Sequence, residues 1–149
     1  MEPPRPPAGT FVDFDGTRLH YVGRGQGPAV VLLHGNGMTL QDVEASGVLG
    51  LAAEHHRVLA FDRPGFGYSN RPRSTLWTPA AQADVIAHAL MQLGEERAVV
   101  VGHSWGAMVA LALTTRRSSG GWFSSGLLLR HIPARYTIRG LAGGSRYRT

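Results

Sequence analysis

The chain contains no cysteine, which excludes a disulfide framework, a thiolate metal site and a cysteine nucleophile. Lysine is absent too, so all 15 basic residues are Arg. No apolar run approaches the ~18–20 residues that span a bilayer. The first ten residues, MEPPRPPAGT, carry an acid and four prolines where a secretory signal has its apolar core. A soluble cytoplasmic protein without a membrane partner is the expectation. The scarcest feature is acid in the C-terminal part. Residues 1–115 hold 8 Arg against 10 acids, a net of −2, whereas residues 116–149 hold 7 Arg and no acid. The net charge of +5 is therefore a property of the tail and does not point to a nucleic-acid partner, as basicity spread over a domain would.

What is present is a single-domain chain of 149 residues, 43% hydrophobic, with 20 Gly and 9 Pro. A chain of this length buries roughly two-thirds of its unfolded surface. Residues 1–10 read as a Pro-rich leader. Phe11–Phe14 and Leu19–Val22 flank Asp15-Gly16, the signature of a β-hairpin. Ala29–Leu33, Val58–Phe61 and Ala98–Val101 are continuous apolar runs, as expected of strands covered on both faces in a parallel sheet. Between them, residues 40–54 have weak helical spacing interrupted by Gly47 and Gly50. The next helix is better marked, with Thr78 as N-cap, Pro79 at the first turn, Ile86, Leu90 and Leu93 on one face, and Gly94 as its stop. Residues 107–113 continue as an apolar helix. Strand and helix alternate, so the fold class is α/β with a mostly parallel sheet and an N-terminal β-hairpin.

Chemistry concentrates at two Gly-rich turns. Gly102-His103-Ser104-Trp105-Gly106 matches G-x-S-x-G between an apolar strand and a helix, the context that gives this motif its meaning. A tight strand-to-helix turn lifts the Ser104 side chain above the sheet, and Gly102 and Gly106 permit the close backbone approach it needs. The helix that follows directs its N-terminal amides at negative charge forming beside Ser104. His34-Gly35-Asn36-Gly37 ends an earlier strand and can supply a second amide to an oxyanion. The backbone N–H groups of Asn36 and Trp105 are the candidate donors. His34, on the loop that forms this site, reads as structural rather than as a general base, and His103 reads as a packing residue.

These pieces, VVLLHGNG (30–37), AFDRPGFGYS (60–69) and VVVGHSWGA (99–107), occur in the order and spacing of the α/β-hydrolase family, which the chain resembles over residues 11–113. The resemblance implies Ser104 as nucleophile and Asn36 with Trp105 as the oxyanion hole. Gly35, Gly37, Gly102 and Gly106 are its motif glycines, and Asp62 with Arg63 is the pair that pins the D-R-P-G loop. It implies no cofactor and no metal, and a small acyl compound as substrate. Relatives that open epoxides or displace halide carry Asp at the nucleophile position, often as G-H-D-W-G. In haloalkane dehalogenases the halide-binding side chains occupy the positions of Asn36 and Trp105. Serine in that frame argues for acyl transfer, because a serine ether would resist water. A dehalogenase or epoxide-hydrolase relative with Ser in place of Asp is the alternative, and a non-catalytic ligand-binding fold is a second.

The family order is Ser, then Asp or Glu, then His. No acid follows Ser104, and the only later histidine is His131. It has no local orienting acid and no strand recognisable before it, so neither the acid nor the base of a triad is assigned. Residues 114–149 read as a basic, acid-free tail, disordered or translated out of frame from a shift near residues 113–116. On that reading the chain is the N-terminal part of the fold, inactive by itself, with an apolar sheet edge that limits its solubility.

Overall fold

The fold is built outward from three short apolar strands that the sequence forces inside. The computed structural model describes residues 8–95, 97–115 and 125–129. Most of the expected leader, most of the expected tail, and His131 lie outside the described residues. The elements run β1 (Thr10–Phe14), β2 (Thr17–Arg24), β3 (Ala29–Leu33), α1 (Leu40–Ala45), α2 (Val48–Ala53), β4 (Arg57–Phe61), α3 (Pro79–Gln92), β5 (Ala98–His103), α4 (Trp105–Thr115) and β6 (Ser125–Leu129). They form one sheet in the order β1-β2-β4-β3-β5-β6. β1 and β2 pair antiparallel, as do β2 and β4, while β4-β3, β3-β5 and β5-β6 are parallel.

The hairpin turn has both Asp15 (φ 48°) and Gly16 (φ 75°) in the left-handed region. That is the geometry a two-residue turn needs to match the strands' right-handed twist. The helical stretch expected over residues 40–54 is two short helices, broken where Gly47 takes φ 79°. α3 keeps the expected caps: the Thr78 side chain accepts from the Ala81 N–H, and Gly94 N–H and Glu95 N–H return to the carbonyls of Met91 and Leu90. These two return bonds satisfy carbonyls that a helix end otherwise leaves bare.

Alternate residues of the central strands enter two cores. Val31, Leu33, Leu59, Phe61 and Val100 pack under α3 and α4 with Ile86, Ala89, Leu90, Val109 and Leu113. Val30, Leu32, Val58 and Ala60 pack under α1 and α2 with Leu40, Leu49 and Ala52. Burial on both faces is why these runs show no polar alternation. Each Val, Leu, Ile or Phe among them contributes about 1.5–3 kcal/mol when fully buried.

β6 corrects the reading of residues 114–149 as lacking any strand. Ser125–Leu129 lies beside β5, register Val99↔Ser125 to His103↔Leu129. Three consecutive leucines are too short a run to reveal a period. What makes them a strand is the row of backbone donors and acceptors that β5 offers at its open side.

Candidate active site

At the junction of β5 and α4, Ser104 takes φ 52°; it and Asp15 are the two non-glycine residues with positive φ among those described. An L-residue held there is strained, and its backbone conformation raises the side chain above the sheet. Ser104 is exposed. The turn closes with Ala107 N–H donating to Ser104 O at 2.9 Å. A Cβ on Gly102 would collide with the carbonyl of Gly106, and one on Gly106 with the carbonyls of Leu33 and His34. The Ser104 turn and the end of β3 are thus in backbone contact, which only hydrogen at these positions allows. A Cβ on Gly35 would meet His103 Nδ1 at 2.8 Å and Ser104 Cβ at 3.2 Å, so the Gly35 loop faces the Ser104 turn directly.

The backbone of Asn36 follows Gly35 on this loop, while Gly37 (φ 74°) carries the chain away. Trp105 is the first residue of α4 and 39% exposed. Its N–H belongs to the first helical turn, where amides have no carbonyl four residues back to serve.

A buried arginine holds this loop. Arg63 is fully buried. Its Nε donates to His34 O (2.8 Å), one terminal nitrogen to Gln82 Oε1 (2.8 Å) and the other to Asn36 Oδ1 (2.8 Å). The guanidinium carbon lies 4.5 Å from the centroid of the Phe66 ring. Burial pushes its pKa down to about 10, so it stays charged at neutral pH with only neutral acceptors around it. Because Asn36 gives its carbonyl oxygen to Arg63, its NH2 group is turned to the other side.

His34 is fixed in one form. Its Nδ1 donates to Gly35 O (2.8 Å), and its Nε2 accepts from the Arg63 backbone N–H (3.0 Å). Both ring nitrogens are used, and burial lowers its pKa below the ordinary histidine value. This neutral ring is a strut of the loop. His103, expected to pack, is exposed instead.

Asp62 and Arg63, expected as the pair that pins the D-R-P-G loop, bond groups in two different directions. Asp62 accepts from Leu40 N–H (2.8 Å) and Tyr68 N–H (3.2 Å) and bonds His20 Nδ1 (2.8 Å). Its carboxylate therefore ties the start of α1 and the D-R-P-G loop to β2, while Arg63 ties the same loop to α3 and the His34–Asn36 loop. Sequence reasoning missed Gln82 and His20. Gln82 had a signal: it lies four and eight residues before Ile86 and Leu90, on the face that must be buried. His20 had none, since strand periodicity does not separate a buried histidine from an exposed one at the edge of a hairpin.

Among the described residues, no imidazole or carboxylate is hydrogen-bonded to the Ser104 hydroxyl. No three His, Cys, Asp or Glu gather as a metal site among them, and no described helix is long and apolar enough to cross a membrane.

Residues 28–119 match the family model of the alpha/beta hydrolase fold. The chain belongs to the α/β-hydrolase family. Among curated proteins of that family it is similar to haloalkane dehalogenase 2 of Mycobacterium bovis, 33% identical over 101 residues that make up 68% of this chain and 35% of the relative. Among solved structures it is similar to the epoxide hydrolase CorEH, with TM-score 0.73 and 29% identity over 93% of this chain and 46% of that one. It is also similar to an N-acyl homoserine lactone degrading enzyme, with TM-score 0.70 and 28% identity over 80% of this chain and 44% of that one. This α/β-hydrolase chain thus spans about a third of the length of the curated relative and under half of the structural ones.

Proposed function

We propose that this chain is the nucleophile-bearing part of a serine hydrolase that acts on a carboxylic ester, lactone or other acyl compound. The observation that carries the reading is Ser104 at φ 52° between β5 and α4, in a frame where epoxide- and halide-processing relatives hold Asp. Ser104 Oγ attacks the acyl carbon and loses its proton to a base. The carbonyl oxygen becomes an oxyanion facing the Asn36 and Trp105 amides, and collapse expels the alcohol to leave an acyl-enzyme. Water then attacks the same carbon and frees the acid. One such amide supplies about 3–4 kcal/mol of transition-state stabilisation in a comparable hydrolase. The same serine opening an epoxide or displacing halide would form an ether, and no second step could release it. The lactone-degrading structural relative supports an acyl substrate. The dehalogenase and epoxide-hydrolase relatives favour a second reading, a member of their branch whose Asp has become Ser.

Turnover by this chain alone is not expected, because no Asp or Glu follows Ser104 in its sequence. The test is a fluorophosphonate probe and a p-nitrophenyl ester applied to the full-length product of the reading frame. Ester turnover and a single adduct on Ser104, both lost in Ser104→Ala, are expected. No adduct and no turnover would overturn the reading in favour of a ligand-binding fold. Consumption of an epoxide or haloalkane without ester cleavage would favour the second reading.

A further inference from the structure

A cavity lies at the β1–β2 edge of the sheet, away from the Ser104 turn. It has a volume of about 320 Å³ and sits between the β1–β2 turn, residues 75–77 and α3, with β4 and β3 separating β2 from β5. Its lining includes Phe14, Asp15, Thr17, Trp77, Asp84 and His88, and no arginine. The walls are held rigidly. The Phe14 and His88 rings stack at 3.8 Å and 11°. His88 Nδ1 donates to Asp84 O (2.8 Å), which leaves Nε2 as the ring's acceptor. Trp77 Nε1 donates to Pro72 O (3.0 Å), so the indole has only its π surface left to offer. Thr17 is the telling residue: it is 3% exposed, yet its hydroxyl bonds no described residue and is not sealed away from solvent. The small opening it keeps is onto this cavity, which it lines.

The residues lining this space bring two carboxylates, two hydroxyls, an imidazole and the Trp77 ring. Asp84 has a partner of its own, so Asp15 is the carboxylate with most to offer. Such a lining repels an anion and favours a cation that brings several N–H donors and an apolar body, since an ammonium gains from carboxylates and from an aromatic face together. Its volume is at the small end of ligand sites. We propose that this cleft binds a small organic ammonium ion, independently of Ser104.

The test uses benzylammonium, with benzyl alcohol and benzoate as its neutral and anionic counterparts, titrated into the chain while the Trp77 indole N–H resonance is followed. Saturable binding of benzylammonium, on the order of tenfold tighter than benzyl alcohol, with none for benzoate, is expected from a charge-assisted site. Asp84→Asn and the isosteric Thr17→Val should each weaken binding by roughly threefold or more, the scale of one polar contact. Thr17→Val keeps the test intact if Asp84→Asn fails to fold. No saturable binding, equal affinity for benzyl alcohol or benzoate, or wild-type affinity in a folded variant would overturn the proposal.

Discussion

Arg63 concentrates more of the site's order than any other single residue. Its side chain bonds groups from β3's end, α3 and the Asn36 loop, three directions that only a planar, five-donor fork can serve at once. Arg63→Met leaves the His34, Gln82 and Asn36 oxygens without their donor, and each bond to a charged group is worth roughly 1.5–3 kcal/mol. A loss of about 3 kcal/mol or more in urea denaturation is expected, with Arg63→Lys recovering less than half. His34 sets a pH limit on the same loop. Burial lowers its pKa in the folded chain, so the unfolded chain binds a proton that the folded one refuses. The stability His34 allows is full above the unfolded value of about 6.5 and falls as pH drops below it. Urea midpoints between pH 7.5 and 5 should fall more steeply for the wild-type chain than for His34→Gln, which has no proton to gain.

At the scale of elements, α3 shows how local signals suffice when they agree. Thr78, Pro79 and Gly94 mark its ends in the sequence, and the structure places the cap bonds at those residues. Thr78→Ala should cost about 1 kcal/mol through the lost cap bond. Gly94→Ala should cost roughly 1–2 kcal/mol, because φ 75° puts a Cβ against its own carbonyl. Thermal melts of the two variants and the double mutant check both, and near-additivity is expected for ends this far apart. α1 and α2 are the contrasting case. Their spacing is legible only as a weak helix, since Gly47 divides it and neither piece is long enough to show a period. β6 is a third kind, a segment whose strand state comes from β5's free edge and not from its own composition.

For the whole molecule, the uneven covering of the sheet matters most. On α4, Trp105, Met108 and Leu111 recur every three residues at 39%, 49% and 42% exposure, an apolar stripe on one side of a helix whose other side is core. Among the described residues β6 is one of the sheet's two outer strands, and an unpaired edge together with an apolar stripe invites association. The double variant Met108→Lys, Leu111→Lys should lower binding of an apolar dye and raise the concentration at which the chain stays monomeric in sedimentation. Neither substitution enters the core, so the melting temperature should move little.

By itself, the sequence determined the α/β class, the hairpin, the ends of α3, and the two Gly-framed turns that meet at Ser104. These are local matters: a positive φ, a cap or an unbroken apolar run is written in adjacent residues. Only the tertiary structure decided that Arg63 and Asp62 work in different directions. The same holds for Gln82 and His20 as the polar partners beneath the loop, for the partners that hold His34 neutral, and for the strand within the acid-free tail. Each of these depends on which groups arrive from 19 to 42 residues away to satisfy a buried donor or acceptor, and hydrogen bonds across such distances leave no period in the chain. The lack of acid after residue 115, the feature that first divided the sequence in two, is a matter of composition alone. With no acid at residues 97–115 either, no Asp or Glu follows Ser104 in the sequence.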